Sequence, residues 1–129
     1  MLKEAVAEKN GRRIVIMDSI TKVTRDDEGS FVVAASHGGA SSGEFALEVP
    51  LGLVVLNDAG IGKDDAGIAS LAMLDAKGVP GATVSHTSAR IGDARDMWES
   101  GVVSRVNAPA EALGVKVGDA LRERLPQLL

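Results

Sequence analysis

Four short apolar runs, Phe31 to Ala35, Leu51 to Leu56, Gly81 to Ser85 and Val102 to Val106, are rich in β-branched residues and separated by segments of helical pattern. This alternation constrains the fold more than any other feature. Runs that are apolar on both faces and alternate with helices predict a mostly parallel sheet, because parallel neighbours need crossovers and the crossovers cover the faces. The expected architecture is a single α/β domain over residues 1–129, a three-layer α/β/α sandwich of Rossmann-like or flavodoxin-like kind. Its helices are expected at Ser42 to Val49, Asp65 to Lys77 and Ala94 to Ser100, with a last one near Ala108 to Leu113 or Gly118 to Leu128.

Local signals set the expected boundaries. Ser41-Ser42-Gly43-Glu44 has the spacing of a capping box between Ser41 and Glu44. Asp64 or Asp65 can cap the helix that follows, and Lys77-Gly78-Val79-Pro80 ends it. Pro109 suits an early helical position. Upstream, Lys3 to Lys9 reads as a short helix closed by Asn10-Gly11, and Arg12 to Met17 as a buried strand. Ser19 to Arg25 alternates like a strand and predicts an N-terminal antiparallel hairpin, with a short helix capped by Asp18 as the alternative.

Composition narrows the function classes. With 45% hydrophobic and 25% charged residues the chain can bury a core, built mainly from aliphatic residues because only Phe31, Phe45 and Trp98 are aromatic. A formal net charge of −4 and so few aromatics leave no basic stripe or stacking ladder, so nucleic acid is not an expected partner. The absence of cysteine removes disulfides, thiolate metal sites and a thiol nucleophile. The start, MLKEAVAEKNGRR, lacks the apolar stretch of a signal peptide, and no run reaches the roughly 18 residues of a membrane span, so a cytoplasmic protein away from membranes is expected. A small Ala- and Gly-containing domain of this kind is also expected to form a homo-oligomer.

In an open parallel sheet, ligands bind beyond the carboxyl ends of the strands. Three loops then share one edge: Ser36 to Ser42, Asn57 to Asp64, and Ser85 to Asp93. They contain both histidines of the chain. His37-Gly38-Gly39 sets an imidazole beside free amides able to hold a carboxylate or phosphate, with Ser36 and Ser41 nearby; a plain turn with a hydrogen-bonded His37 is the alternative. Asn57-Asp58 offers a partly desolvated carboxylate as base and Lys63 a cation for a substrate anion, against an Asx-type turn with a solvated lysine. His86, Ser88, Arg90 and Asp93 add a second imidazole, a hydroxyl, a planar cation and a carboxylate, with a structural pair of Arg90 to Asp93 or Asp96 as the alternative.

The candidate catalytic residues are therefore His37, Asp58 and His86, and the candidate binding residues Ser36, Gly38, Gly39, Ser41, Asn57, Lys63, Ser88, Arg90 and Asp93. Gly60-Ile61-Gly62-Lys63 lacks a phosphate-loop pattern, since Asn57 stands where glycine and Asp64 where a hydroxyl is required. Lys63-Asp64-Asp65-Ala66-Gly67-Ile68 resembles the G-D-D-G-x-G segment of the nickel-binding hydrogenase-maturation endopeptidases over those residues alone. Lys63 and Ala66 replace its glycines, and the segment lies mid-chain, so that activity is not carried over. No cofactor is expected; a divalent metal would need His37 and His86 with Asp58, Asp64 or Asp93 to meet through the fold. The expected function is a hydrolase or lyase acting on a small anionic metabolite, the alternatives being a non-catalytic ligand-binding module or a structural subunit.

Overall fold

The computed structural model describes residues 1–129 as an α/β fold with a six-stranded mixed sheet and five helices. The strands are β1 (Lys3–Lys9), β2 (Arg12–Met17), β3 (Phe31–His37), β4 (Leu53–Asn57), β5 (Gly81–Val84) and β6 (Val103–Val106), and they lie side by side in sequence order. The helices are α1 (Ala40–Ala46), α2 (Ala69–Ala76), α3 (Ala94–Ser100), α4 (Ala108–Leu113) and α5 (Leu121–Gln127). None is long and apolar enough to cross a membrane.

Successive residues of a strand point to opposite faces, and this chain has two cores as a result. Val15, Met17, Val32, Ala34, Val54 and Leu56 pack with Ala46 of α1 and Leu74 of α2. Ile14, Ile16, Phe31, Val33, Leu53 and Val55 pack on the other face with Met97 and Trp98 of α3, Ala110 of α4 and Leu121 and Leu125 of α5. The chain thus changes face once, after β5.

β2, β3, β4 and β5 are mutually parallel, whereas β1 and β6 each join antiparallel. The direction of β6 corrects the expectation of four parallel core strands. The Ser85 amide donates to the Val102 carbonyl at 3.0 Å, so β6 begins beside the end of β5. Seven-residue α3, about 10 Å long, does not carry the chain back across the sheet.

The N-terminal region also differs from its reading in the sequence. Lys3 to Lys9 is a strand, paired with β2 through Asn10-Gly11, whose φ values of 55° and 79° suit a tight hairpin turn. A register shift between Ala5 and Ala7 sends Leu2, Val6 and Ala7 toward one core, a spacing that mimics a helical stripe. The antiparallel hairpin is therefore β1–β2. Ser19 to Arg25 instead holds 3-10 turns at Ile20–Lys22 and Arg25–Asp27, the first capped by Ser19. Asp18 is not that cap; its carboxylate accepts the amides of Leu2 at 2.7 Å and Ala94 at 2.9 Å.

Two other caps move. α1 starts after Gly39 with no side-chain cap, leaving Ser41 and Glu44 inside the helix. Its entry is instead closed by neighbouring backbone, the Gly38 amide donating to Asn57 at 2.7 Å and the Gly38 carbonyl accepting from Ser70 at 2.9 Å. Asp64 and Asp65 lie in a 3-10 segment, Lys63–Ile68, with positive φ, and α2 begins beyond them. Near the C-terminus, Asn107 caps α4 while its side chain bonds four groups: it accepts from Gly81 and Ala110 and donates to Leu71 and Val79.

Candidate functional site

Parallel register brings three loops to one edge. His37 pairs with Asn57 and Asn57 with Val84, so β3, β4 and β5 end level and deliver His37, Asp58 and His86 to the same side of the sheet. β2 runs the same way and adds Asp18 to Thr21. Those residues were not singled out from the sequence, although Ile14 to Met17 followed by a polar loop repeats the pattern of the later strands.

His37 is exposed, and its Nδ1 accepts the Gly39 amide at 3.1 Å. A neutral imidazole held this way carries its proton on Nε2, which leaves that nitrogen as a donor. Gly38 lets the turn sit close to its neighbours, since a Cβ there would meet Thr83 Cγ2 at 3.0 Å and press on the Gly67 carbonyl.

The loop after β4 is the most unusual backbone in the chain. Ala59, Ile61, Asp64 and Asp65 have φ values of 51°, 67°, 56° and 58°, beside Gly60 at 79° and Gly62 at 73°. Each non-glycine residue in this region costs about 1–2 kcal/mol and persists because its surroundings impose it. Those surroundings are visible: Ile61 donates to the Asp58 carbonyl and accepts from the Gly67 amide, both at 2.6 Å. Asn57, fully buried, accepts from Ala59 and donates to the Ala89 carbonyl, tying this loop to the one after β5.

Asp58 Oδ1 accepts the amides of Gly60 at 2.8 Å and His86 at 3.1 Å, and His86 Nδ1 lies 3.5 Å away, an ion-pair contact longer than a hydrogen bond. Burial opposes ionisation of Asp58, but the Gly60 amide, the Ser104 hydroxyl, the His86 amide and the His86 ring together outweigh it and hold the carboxyl below its ordinary value. The amides of Ala94 and Leu2 likewise lower Asp18, against a smaller opposing effect of burial. A carboxyl lowered in the folded state adds stability that is present above the unfolded pKa and lost as pH falls through the folded one. Unfolding free energy should therefore decline below about pH 4, and Asp18→Asn should flatten that decline in denaturant titrations at successive pH values. An unchanged slope would show that Asp18 is not one of the groups responsible.

Two cavities open on this edge. One, of about 510 Å³, is bounded by His37, Gly39, Ser41, the strained loop at Ala59, Ile61 and Gly62, and Ile91. The other, of about 360 Å³, lies between Asp18 to Thr21, Ser36, α1 and Gly92. His37, Ser41 and Ile91 border both.

Of the candidates from the sequence, His37, Gly39 and Ser41 line the larger cavity and Ser36 the smaller. Gly38 lies buried behind His37. Lys63 and Arg90 are exposed, line neither cavity and join no ion pair; Lys63 follows Gly62 of the larger cavity, and Arg90 precedes Ile91, which borders both. His86 packs over Gly60, on neither cavity lining. Asn57 and Asp58 brace loops, Ser88 bridges Ser85 and Val102, and Asp93 caps α3 through the Asp96 amide at 3.0 Å. The Arg90 amide donates to Asp96, which leaves the guanidinium without a partner. The lining residues Phe45, Ile61 and Ile91 had no distinguishing signal, being apolar positions inside a helix or loop. No three His, Asp or Glu side chains converge in a metal-holding group. No family model, curated protein or solved structure matches the chain.

Proposed function

We propose that the edge where β3, β4 and β5 end is a small-molecule site, and that the protein is an enzyme of hydrolase or lyase type acting on an anionic metabolite that bears a carboxylate or phosphate. The observation that carries this reading is the strain: four non-glycine residues with positive φ fall within Ala59 to Asp65, and this loop walls the larger cavity. Backbone strain of this density is concentrated at functional sites. In this reading His37 donates a hydrogen bond from Nε2–H to the departing oxygen, while the Asp58 carboxylate orients His86 and favours a proton on its Nδ1, leaving Nε2 as a base. Lys63 and Arg90 attract the anion to the mouth, and Gly39 and Ser41 line its seat. We also read the helices on both faces as the outer layers of an α/β/α sandwich.

A binding module without catalysis is the second reading. It is favoured by one observation: His37 is the single titratable group lining the larger cavity, because Asp58 is engaged by backbone amides.

Thermal-shift titration with inorganic phosphate, phosphate monoesters and dicarboxylates tests both readings. Stabilisation of the wild type that weakens in Lys63→Ala and Arg90→Ala supports anion binding, and no stabilisation by any of them defeats it. Incubation with each stabilising compound then separates the two. Turnover that disappears in His37→Gln while the thermal shift remains supports the enzyme; binding without turnover by the wild type supports the module.

A further inference from the structure

We propose that the substrate has two chemically distinct parts joined at His37: an anionic part in the larger cavity and an uncharged, hydroxyl-bearing part, such as a sugar ring, in the smaller one. The inference rests on the anion site proposed above and extends it. Its starting point is the shared wall, since His37, Ser41 and Ile91 border both cavities and the imidazole stands where they meet. A volume of about 360 Å³ is enough for a small ligand fragment.

The chemistry of the smaller cavity differs from that of its neighbour. Its one carboxylate is Asp18, whereas the larger cavity is lined by none, so a second anionic group would be repelled from the smaller one. Ser42 is 3% exposed and belongs to the cavity lining. Among the neighbouring hydroxyls, Ser19 and Thr21 bond each other at 2.8 Å, and Ser36 accepts the Ile20 amide at 2.9 Å. Each Asp18 oxygen accepts one amide and retains a lone pair for an O–H donor. Phe45, 36% exposed, and Ile91, 52% exposed, supply apolar surface to the same cavity. Serine hydroxyls, a carboxylate acceptor and an aromatic ring together match a neutral polyol with one apolar C–H face.

Placed across the junction, such a substrate brings the bond between its two parts to His37 Nε2. In hydrolysis at that bond water adds its hydroxyl to the anionic part as the bond to the polyol oxygen breaks, and the water's proton goes to that oxygen, toward which the His37 Nε2–H donates a hydrogen bond.

Isothermal titration with ribose 5-phosphate, glucose 6-phosphate and inorganic phosphate, alongside amide NMR shifts, tests the proposal. At least one sugar phosphate should bind about tenfold more tightly than inorganic phosphate, the equivalent of one or two net hydrogen bonds. Ser42→Ala and Phe45→Ala should remove that advantage and leave phosphate affinity unchanged, with wild-type shifts at Ser19 to Thr21 and Ser41 to Phe45 for the sugar phosphate alone. Equal affinities for all three ligands, or an advantage insensitive to both variants, would overturn the two-part substrate while leaving the anion site standing. Failure of inorganic phosphate and both sugar phosphates to bind would remove the anion site and this inference with it.

Discussion

Replacing Gly67 by alanine is expected to destabilise the protein by about 3 kcal/mol. Gly67 is buried, and a Cβ on it would fall within van der Waals distance of the Asp58 carbonyl oxygen and lie 2.9 Å from both the Cα and the carbonyl oxygen of Ile61. All three obstacles are backbone atoms, so no rotamer change relieves the clash. They also belong to the strained loop, whose Asp58-to-Ile61 and Ile61-to-Gly67 hydrogen bonds would have to lengthen. Gly62→Ala is the control: its φ is 73° but nothing lies within 4 Å of the added atom, so only the left-handed penalty of about 1–2 kcal/mol is expected. Urea titration of the two variants decides the matter. Gly67→Ala no less stable than Gly62→Ala would mean that the loop is not packed as described.

Asn107→Ala is expected to cost about 3 kcal/mol, combining the loss of a helix cap with the loss of three further hydrogen bonds to backbone, of which the Gly81 amide is left buried. The side chain accepts from Gly81 at 2.9 Å and Ala110 at 3.0 Å, and donates to Leu71 at 3.2 Å and Val79 at 3.0 Å. One amide thereby joins the start of β5, the α2-to-β5 connection and α4. Asn107→Ser keeps a capping oxygen for Ala110 but is too short to replace the two donated bonds, so it should recover about 1 kcal/mol of the loss. A serine variant as stable as the wild type would reduce Asn107 to a cap alone.

Much of this arrangement is legible in the chain because local and global signals agree. α3 begins and ends where the apolar pattern places it, both alternatives for the last helix are present as α4 and α5, and Gly78 takes the left-handed conformation, with φ of 71°, expected after α2. β3, β4 and β5 follow the β-branched runs closely. The failures are non-local. β1 looked helical because a bulge broke its alternation, and the direction of β6 depended on where a short helix released the chain. Ser41 and Glu44 had capping spacing, but backbone from Asn57 and Ser70 closed that turn first.

The site was legible as an edge and only partly as a set of side chains. His37, Lys63 and Arg90 bring chemistry that residue type alone announces. The sequence leaves Asp58 open between a base and an Asx-type turn; the structure has the turn, with the Gly60 amide on its Oδ1, and only the fold shows the His86 amide on the same oxygen. Ser42 and Phe45 sit within an amphipathic helix, where nothing in the sequence separates a cavity wall from ordinary scaffold.

Because every strand of the sheet lies beside its neighbour in sequence, the chain can fold by accretion as it leaves the ribosome. The hairpin of β1 and β2 offers an edge to β3, and each later strand finds its docking partner among residues already synthesised. Loop-closure entropy then stays small for a sheet with three parallel pairings, a class that ordinarily folds slowly. The candidate site is synthesised in the same order: Asp18 first, then His37, then the strained turn after β4, and Ala89 to Gly92 last.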